Sequence, residues 1–264
     1  MYTLSGNFDL QLTPACTLSC KGCSTTDYMS IGNTICNLMT RSDLEQIINN
    51  LIDNKLKVET LTFLGGEPTI HPNFLEFVKY LHKFKGVVYD KLILHSNATN
   101  ITDDFLESLE YFDILKISTY PVSVELKNEI IKSGLYDYFI SKNVEVLFRH
   151  QFYFYNYGVE DENYTYTQEL NWERCFMKDS CRVITPDKIY RCALAYNERK
   201  EGVNFTDRQS IINYIENQNK PLDLCKNCPF PPKVTEWGSN HNERDKKNVD
   251  LAIHKIRNIK LPIN

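Results

Sequence analysis

Three cysteines near the start of this 264-residue chain could hold a metal cluster. Cys16, Cys20 and Cys23 lie in the segment C-T-L-S-C-K-G-C. Three thiolates on one short loop can bind three irons of a cubane 4Fe–4S cluster and leave the fourth iron open to a ligand. A zinc knuckle is the alternative, although zinc sites more often pair two C-x2-C units or add histidines, and no histidine lies near these cysteines.

A glycine-rich turn follows at Gly65, Gly66, Glu67 and Pro68. Glycine suits a backbone that must approach a ligand closely. The C-x3-C-x2-C spacing together with the G-G-E-P turn resembles the radical S-adenosylmethionine (radical SAM) enzymes. The resemblance implies that the open iron of a SAM-binding 4Fe–4S cluster chelates the amino and carboxylate groups of SAM. It also implies that Glu67 and the neighbouring glycine backbone hold the SAM amino group.

The resemblance extends to the ends of three later strands. Ser96 and Asn97 resemble the strand end near the SAM ribose and amino-acid moiety, and Ser118 resembles the ribose-hydroxyl contact. Arg149 is placed like an arginine that pairs with the SAM carboxylate, for which a bidentate guanidinium is suited. A loop cap for Ser118 and a surface ion pair for Arg149 stay open. Gly22 departs from the family, which often has an aromatic residue there, so adenine recognition falls to another group.

Five cysteines in the last third could hold a second cluster. They are Cys175, Cys181, Cys192, Cys225 and Cys228. A predicted hairpin over 182–191 and a predicted helix over 206–217 lie among them. This layout looks like the twitch domain, a trimmed SPASM domain, and the resemblance implies one auxiliary 4Fe–4S cluster on four of the five thiols. A structural zinc ribbon is the alternative, and Cys36 is predicted to be a free thiol.

Alternating strands and helices must position these residues. The predicted strands are 8–12, 60–64, 91–95, 114–118 and 144–150, and the predicted helices are 44–52, 74–81, 102–111 and 124–133, with a capping box at Ser42–Glu45. This alternation implies parallel βαβ units and an α/β fold. The motifs fall at the C-terminal ends of strands, where barrel enzymes place their chemistry. Because only five or six units fit before residue 160, we expect a partial (β/α)6 TIM-like barrel, which the resemblance also implies.

Three regions are expected along the chain. Residues 1–160 form the barrel core, 161–236 form a small auxiliary-cluster domain with a β-hairpin plus helix, and 237–264 form a tail or a packed helix. The aromatic-rich segment 151–174 favours a sixth strand and a surface loop over a lid on the substrate.

The composition places limits on the class of protein. Hydrophobic residues at 42% and charged residues at 24% are ordinary for a globular domain. The chain has no apolar run of the ~18 residues that a membrane span needs. Its net charge of −4 argues against a general nucleic-acid binder. We therefore expect neither a membrane nor a nucleic acid as partner. Nine cysteines without an export signal point to the cytoplasm.

The resemblance implies reductive cleavage of SAM to a 5′-deoxyadenosyl radical, which abstracts hydrogen from a substrate carbon. A fully ligated auxiliary cluster is best suited to accept an electron, so we expect a two-electron dehydrogenation of a small molecule or sugar, driven by an external one-electron reductant. Small twitch enzymes include an aminocyclitol dehydrogenase of similar length and cysteine layout. His150 and Arg149 are candidate proton acceptors, and His150 is the better one by intrinsic pKa.

Two other functions stay open. A radical SAM enzyme could modify a peptide by thioether cross-linking, carbon–carbon bond formation or epimerisation. An epimerase would need a hydrogen donor, for which the spare thiol of Cys175 or Cys181 could serve. The predicted barrel begins near residue 7, which leaves no room for a leader-binding domain and favours a small molecule. A non-catalytic iron–sulfur or zinc scaffold is the third hypothesis, and SAM cleavage on reduction would exclude it.

Overall fold

The computed structural model describes residues 1–20, 23, 38–150, 153–155, 167–175, 178, 181–197, 199–216, 220–226, 234–236 and 241–261. Predictions for Gly22, Cys36 and Cys228 therefore lie outside the described residues.

The strands and helices alternate through the first 150 residues. The strands are β1 (Tyr2–Thr13), β2 (Leu56–Gly65), β3 (Tyr89–Ser96), β4 (Ile114–Thr119), β5 (Glu145–His150), β6 (Tyr153–Tyr155), β7 (Cys181–Ile184), β8 (Lys188–Tyr190), β9 (Val203–Asn204) and β10 (Val234–Glu236). The helices are α1 (Arg41–Asp53), α2 (Phe74–His82), α3 (Asp103–Ser108), α4 (Val124–Lys132), α5 (Leu135–Ser141), α6 (Gln168–Arg174), α7 (Ala193–Asn197), α8 (Arg208–Glu216) and α9 (Glu243–Arg257).

One open sheet of eight strands runs through the described residues in the order β5-β4-β3-β2-β1-β7-β8-β9. The six strands from β5 to β7 are parallel, and β8 and β9 are antiparallel additions at one edge. The predicted α/β partial barrel is therefore confirmed. The sixth parallel position is taken by β7 beside β1, whereas β6 pairs antiparallel with β10 in a separate two-stranded sheet.

The two faces of the parallel sheet differ in polarity. Since neighbours alternate between faces along a strand, residues in register share a face. The apolar residues of one face pack with the helices in the main core and include Phe8, Leu10, Leu61, Phe63, Leu92, Leu94, Leu115 and Ile117. The other face, here called the inner face, carries Asn7, Asp9, Thr62, His95, Lys116, Ser118, Arg149 and Cys181.

The predicted capping box of helix α1, at Ser42–Glu45, is wrong. Thr40 is the N-cap, because its side chain accepts from the Asp43 backbone N–H while Asp43 accepts from the Thr40 backbone N–H. The box therefore begins two residues before the predicted Ser42. The helix buries the expected apolar face, with Leu44, Ile47, Ile48 and Leu51.

The last third of the chain has its own small core and a long final helix. The second core consists of Val183, Tyr190, Ala195, Tyr196 and Leu222. Helix α9 packs on α4 and buries Val249, Ala252, Ile253 and Ile256. None of the helices in the described part of the chain is long and apolar enough to span a lipid bilayer.

The end of β2 lies in direct contact with the end of β1. The Gly66 backbone N–H donates to Thr13 O at 2.7 Å, and the Glu67 N–H donates to Ala15 O at 2.8 Å. A Cβ atom on Gly66 would lie 2.1 Å from Ala15 O, and one on Gly65 would lie 2.5 Å from Thr13 O. Gly65 also has a φ of +139°, which side chains rarely allow. Both glycines are therefore required by backbone packing.

Replacing Gly66 by Ala should push the Thr13–Ala15 segment away from the turn, because the added methyl group overlaps a carbonyl oxygen. We expect a loss of about 1–3 kcal/mol in the free energy of unfolding, measured by urea denaturation. Hydrogen exchange should also show a faster-exchanging Glu67 amide, whose bond to Ala15 would be broken.

Gly86→Ala is the matched control. Gly86 also has a positive φ, of +80°, but its Cβ position has no atom within 4 Å. This variant should lose stability from backbone strain alone and keep the Glu67 amide protected. Equal protection of that amide in both variants would contradict the packing argument.

Candidate functional site

Glu67 joins the ends of β2 and β3. Its side chain is fully buried, and Oε1 accepts from the Thr69 and Ser96 hydroxyl groups at 2.8 Å each. Oε2 accepts from the Asn97 backbone N–H at 2.7 Å. Burial raises the pKa of Glu67, while these donors favour the ionised form and oppose the shift. Oε2 keeps acceptor capacity for another donor, which fits an amino group as ligand.

Asn97 connects the same strand end to the cysteine loop. Its Nδ2 lies 3.5 Å from Cys16 Sγ and donates to Thr17 Oγ1 at 3.1 Å. Its Oδ1 accepts from the Thr99 backbone N–H at 2.9 Å, which fixes the amide orientation. The ends of β1, β2 and β3 thus meet at one point.

The three N-terminal cysteines lie close together on this loop. The Cys23 N–H donates to Cys20 O at 3.2 Å, and the Leu18 N–H lies 3.4 Å from Cys16 Sγ. Burial, together with the charges of Glu67 and Cys23, raises the pKa of Cys16 to about 12. Burial, Cys23 and Cys16 likewise raise the pKa of Cys20. Three thiolates therefore need nearby positive charge, which the irons of a cluster would supply.

The described residues contain no group of three Cys, His, Asp or Glu side chains placed to hold a single metal ion. A cubane cluster distributes its protein ligands over separate irons. The thiols of this loop and their mutual electrostatic effect fit such a cluster in chemical type.

The start of α9 holds the cysteine loop, a contact that the sequence analysis missed. Asp245 Oδ1 accepts from the Ser19 N–H at 2.8 Å and from its hydroxyl at 2.9 Å. His241 Nδ1 lies 3.9 Å from Cys20 Sγ. The helix start itself could have been found from the spacing of Asn242 and Asp245, which form a capping box.

Charged side chains gather on the inner face beside Ser118. His95 Nε2 lies 2.8 Å from Ser118 Oγ. Burial, together with the charges of Arg149 and Lys116, lowers the pKa of His95 to about 4. Burial raises the pKa of Asp9 on β1 to about 7, against hydrogen bonds that lower it. The sequence analysis missed Asp9, His95 and Lys116, which only strand register identifies as neighbours.

The structure separates the two predicted proton acceptors. Arg149 is in register with Ser118 on the inner face. His150 is the next residue along β5, so its side chain points to the other face, where Nε2 lies 3.1 Å from Lys127 Nζ on α4. The role of His150 as a proton acceptor stays a prediction.

Three of the C-terminal cysteines lie in or next to short helical elements, and two of them, Cys192 and Cys225, pack against the second core. Cys175 follows α6, Cys192 precedes α7, and Cys225 lies in a short 3-10 turn. Asn171 on α6 donates to Cys225 O at 2.9 Å. Burial, together with the charges of nearby Cys192 and Cys175, raises the pKa of Cys225 to about 11.

Cys181 differs from these three in its surroundings. It begins β7, lies on the inner face, and its thiol donates to Asp9 Oδ2 at 3.5 Å. Burial and the Asp9 charge raise its pKa well above the ordinary value. Cys192 is close enough to contribute to the same shift.

His95→Gln should reduce the acid sensitivity of the fold. Between pH 6.5, the ordinary value, and about pH 4, the unfolded chain binds a proton that folded His95 does not. Stability is therefore lost as pH falls through this window, by up to about 1.4 kcal/mol per pH unit for this residue. Urea denaturation of both proteins at several pH values measures the slope. An unchanged slope in the variant would show that His95 titrates normally.

Comparison with known proteins identifies the type of domain. Residues 10–138 match the model of the Radical SAM superfamily. No curated protein matches the chain.

Solved structures share the fold at low identity. BtrN in complex with AdoMet and 2-DOIA has a TM-score of 0.59 at 14% identity, covering 86% of this chain and 94% of that chain. Native anSMEcpe with bound AdoMet has a TM-score of 0.51 at 15% identity, covering 96% and 98%. Residues 10–138 thus match a radical SAM domain, and the solved structures share the α/β partial-barrel fold of this chain.

Proposed function

We propose that this protein is a radical SAM enzyme that dehydrogenates a small molecule or sugar. The observation that carries the proposal is the meeting of the cysteine loop, Glu67 and Asn97 at the ends of three parallel strands. These residues lie within the matched domain. In barrel enzymes, this end of the sheet is where chemistry is placed.

The chain's own residues have distinct roles in this proposal. Cys16, Cys20 and Cys23 hold the SAM-binding 4Fe–4S cluster, and Glu67 accepts from the SAM amino group. When bound, that cluster supplies the electron that cleaves SAM, and an auxiliary cluster supplies an acceptor for the electron left on the substrate. Ser96 and Asn97 hold Glu67 in place through the hydrogen bonds described above.

The substrate would lie against the inner face. Asp9, His95, Lys116 and Arg149 present hydrogen-bonding and charged groups there, which suits a polar molecule. Oxidation of a secondary alcohol removes a hydrogen atom, a proton and an electron. Lys116 and Arg149 offer positive charge that favours loss of the hydroxyl proton, and neutral His95 can accept a hydrogen bond. BtrN, which shares the fold, binds 2-DOIA with AdoMet, and this supports a small-molecule substrate.

The auxiliary cluster is proposed on Cys175, Cys192, Cys225 and Cys228. Cys192 and Cys225 pack against the second core, and the charges of Cys192 and Cys175 contribute to the raised pKa of Cys225. With all irons ligated by protein, such a cluster suits electron transfer. An external one-electron reductant completes the proposal.

One observation favours a second candidate function, peptide epimerisation. Cys181 places a protonated thiol on the inner face, where it donates to Asp9. If its sulfur is not an iron ligand, it could give a hydrogen atom to a substrate radical. The resulting thiyl radical would need one electron and one proton to restore the thiol, which an external one-electron reductant and solvent would supply.

Replacing Cys16, Cys20 and Cys23 by Ala should remove one of two clusters. Anaerobic reconstitution should give about eight irons in the wild type and about four in the variant. With SAM and dithionite, only the wild type should form 5′-deoxyadenosine, measured by chromatography. Cys36→Ala is the control and should behave as wild type.

About four irons in the wild type and none in the triple variant, with zinc present, would make the C-terminal cysteines structural. The dehydrogenase proposal would then lose its electron acceptor.

Single replacements of Cys192 and Cys181 by Ala should distinguish the dehydrogenase proposal from the epimerase proposal. Cys192→Ala should lose about four irons and keep 5′-deoxyadenosine formation. Cys181→Ala should keep both if Cys181 is the spare thiol. Mössbauer spectra and iron analysis measure the difference. Loss of about four irons from Cys181→Ala would make it an auxiliary ligand and remove the support for epimerisation.

A further inference from the structure

The first turn of α9 is built around the cysteine loop. Asp245 is fully buried, and its two bonds to Ser19 cross 226 positions of sequence. Asn242 Nδ2 donates to Ser19 Oγ at 2.8 Å, and Asn248 Nδ2 donates to Thr17 O at 2.6 Å. Backbone and side chain between Cys16 and Cys20 are therefore held by one helix end.

His241 extends this contact to a sulfur atom. Its side chain is only 2% exposed, and Nδ1 lies 3.2 Å from Asp245 Oδ2 and 3.9 Å from Cys20 Sγ. The ring of Tyr120 lies against the imidazole, with 5.6 Å between ring centroids. A ring nitrogen is thus shared between a carboxylate and a cysteine of the loop, in a site closed to solvent.

The two residues act on a cluster with opposite sign. Reduction adds negative charge, so a buried carboxylate beside Cys20 disfavours the reduced state. An N–H group at Nδ1 of His241, 3.9 Å from the Cys20 sulfur, favours it, since hydrogen bonds to the sulfurs and local charge set the potentials of iron–sulfur clusters. Asp245 already contributes to the raised pKa of Cys20, after burial and the neighbouring cysteines.

We infer that Asp245 and His241 are positioning residues that set the reduction potential of the cluster held by Cys16, Cys20 and Cys23. The C-terminal helix is then part of the redox site and not a peripheral tail. This inference rests on the proposed function, because it requires the cluster to be present. A helix cap with a purely structural role would also bind Ser19, but it would not give opposite shifts for the two residues.

The test is an EPR-monitored redox titration of the reconstituted protein. Asp245→Asn, which removes the charge and keeps the shape, should raise the reduction potential. His241→Phe, which removes the N–H group and keeps a ring, should lower it. We expect each change to alter the ratio of reduced to oxidised cluster at a fixed applied potential by about tenfold. This corresponds to a shift of about 59 mV in the reduction potential of a one-electron couple.

Two further variants test whether the shifts in reduction potential arise from the buried charge and the N–H group and not from any change at the start of α9. Glu243→Gln lies on the same helical turn, where Glu243 is exposed and pairs with Lys246, so it should leave the potential unchanged. His241→Asn keeps a side-chain N–H group and should restore a potential close to that of the wild type.

Iron content distinguishes a failure of the proposed function from a failure of the inference about α9. A wild type without the N-terminal cluster would overturn the proposed function itself. Full iron content in all variants, with unchanged potentials or with shifts of the same sign, would overturn only the inference about α9. If Asp245→Asn binds no iron, the two His241 variants provide the test. Equal reduction potentials for His241→Phe and His241→Asn would refute the role of the N–H group.

Discussion

The close backbone contact between Thr13–Ala15 and Gly65–Glu67 is the constraint on which the rest of the site depends. Two backbone hydrogen bonds join these segments, and neither glycine has room for a side chain. The contact brings Glu67 beneath the end of β3, where a fully buried carboxylate must find donors to offset its lost hydration. The donors are Thr69, Ser96 and Asn97.

This hydrogen-bond network explains why the cysteine loop and the glycine-rich turn act as one unit. Asn97 donates its backbone N–H to Glu67 and directs its side-chain amide towards Cys16. Movement of the turn would therefore be transmitted to the loop through Asn97 as well as through the backbone contact with Thr13–Ala15. A buried polar network stabilises a unique arrangement only when all its members are satisfied. Here the carboxylate and the amide are both engaged by the chain.

The C-terminal third of the chain contacts the middle of β1 and the loop that follows this strand. Strand β7 pairs with β1 at Asn7, which continues the barrel sheet into the hairpin of the second cysteine group. Helix α9 contacts the loop that follows β1, through Ser19. Strand β1 thus continues along the chain into the loop of the N-terminal cysteines, and it is paired by hydrogen bonds with β7, which begins at Cys181. Cys181 and Asp9 meet along the same strand pair, which brings a thiol to the inner face.

The sequence by itself determined the α/β class, the approximate strands and helices, and the two cysteine groups. Those signals are local, since they come from periodicity, spacing and turn residues. Only the tertiary structure decided that Asp9, His95 and Lys116 share a face, because strand register sets those neighbours. It also decided that His150 lies opposite Arg149 and that Asp245 holds Ser19. Contacts between residues far apart in the chain leave no spacing pattern, because the chain between them is free to vary.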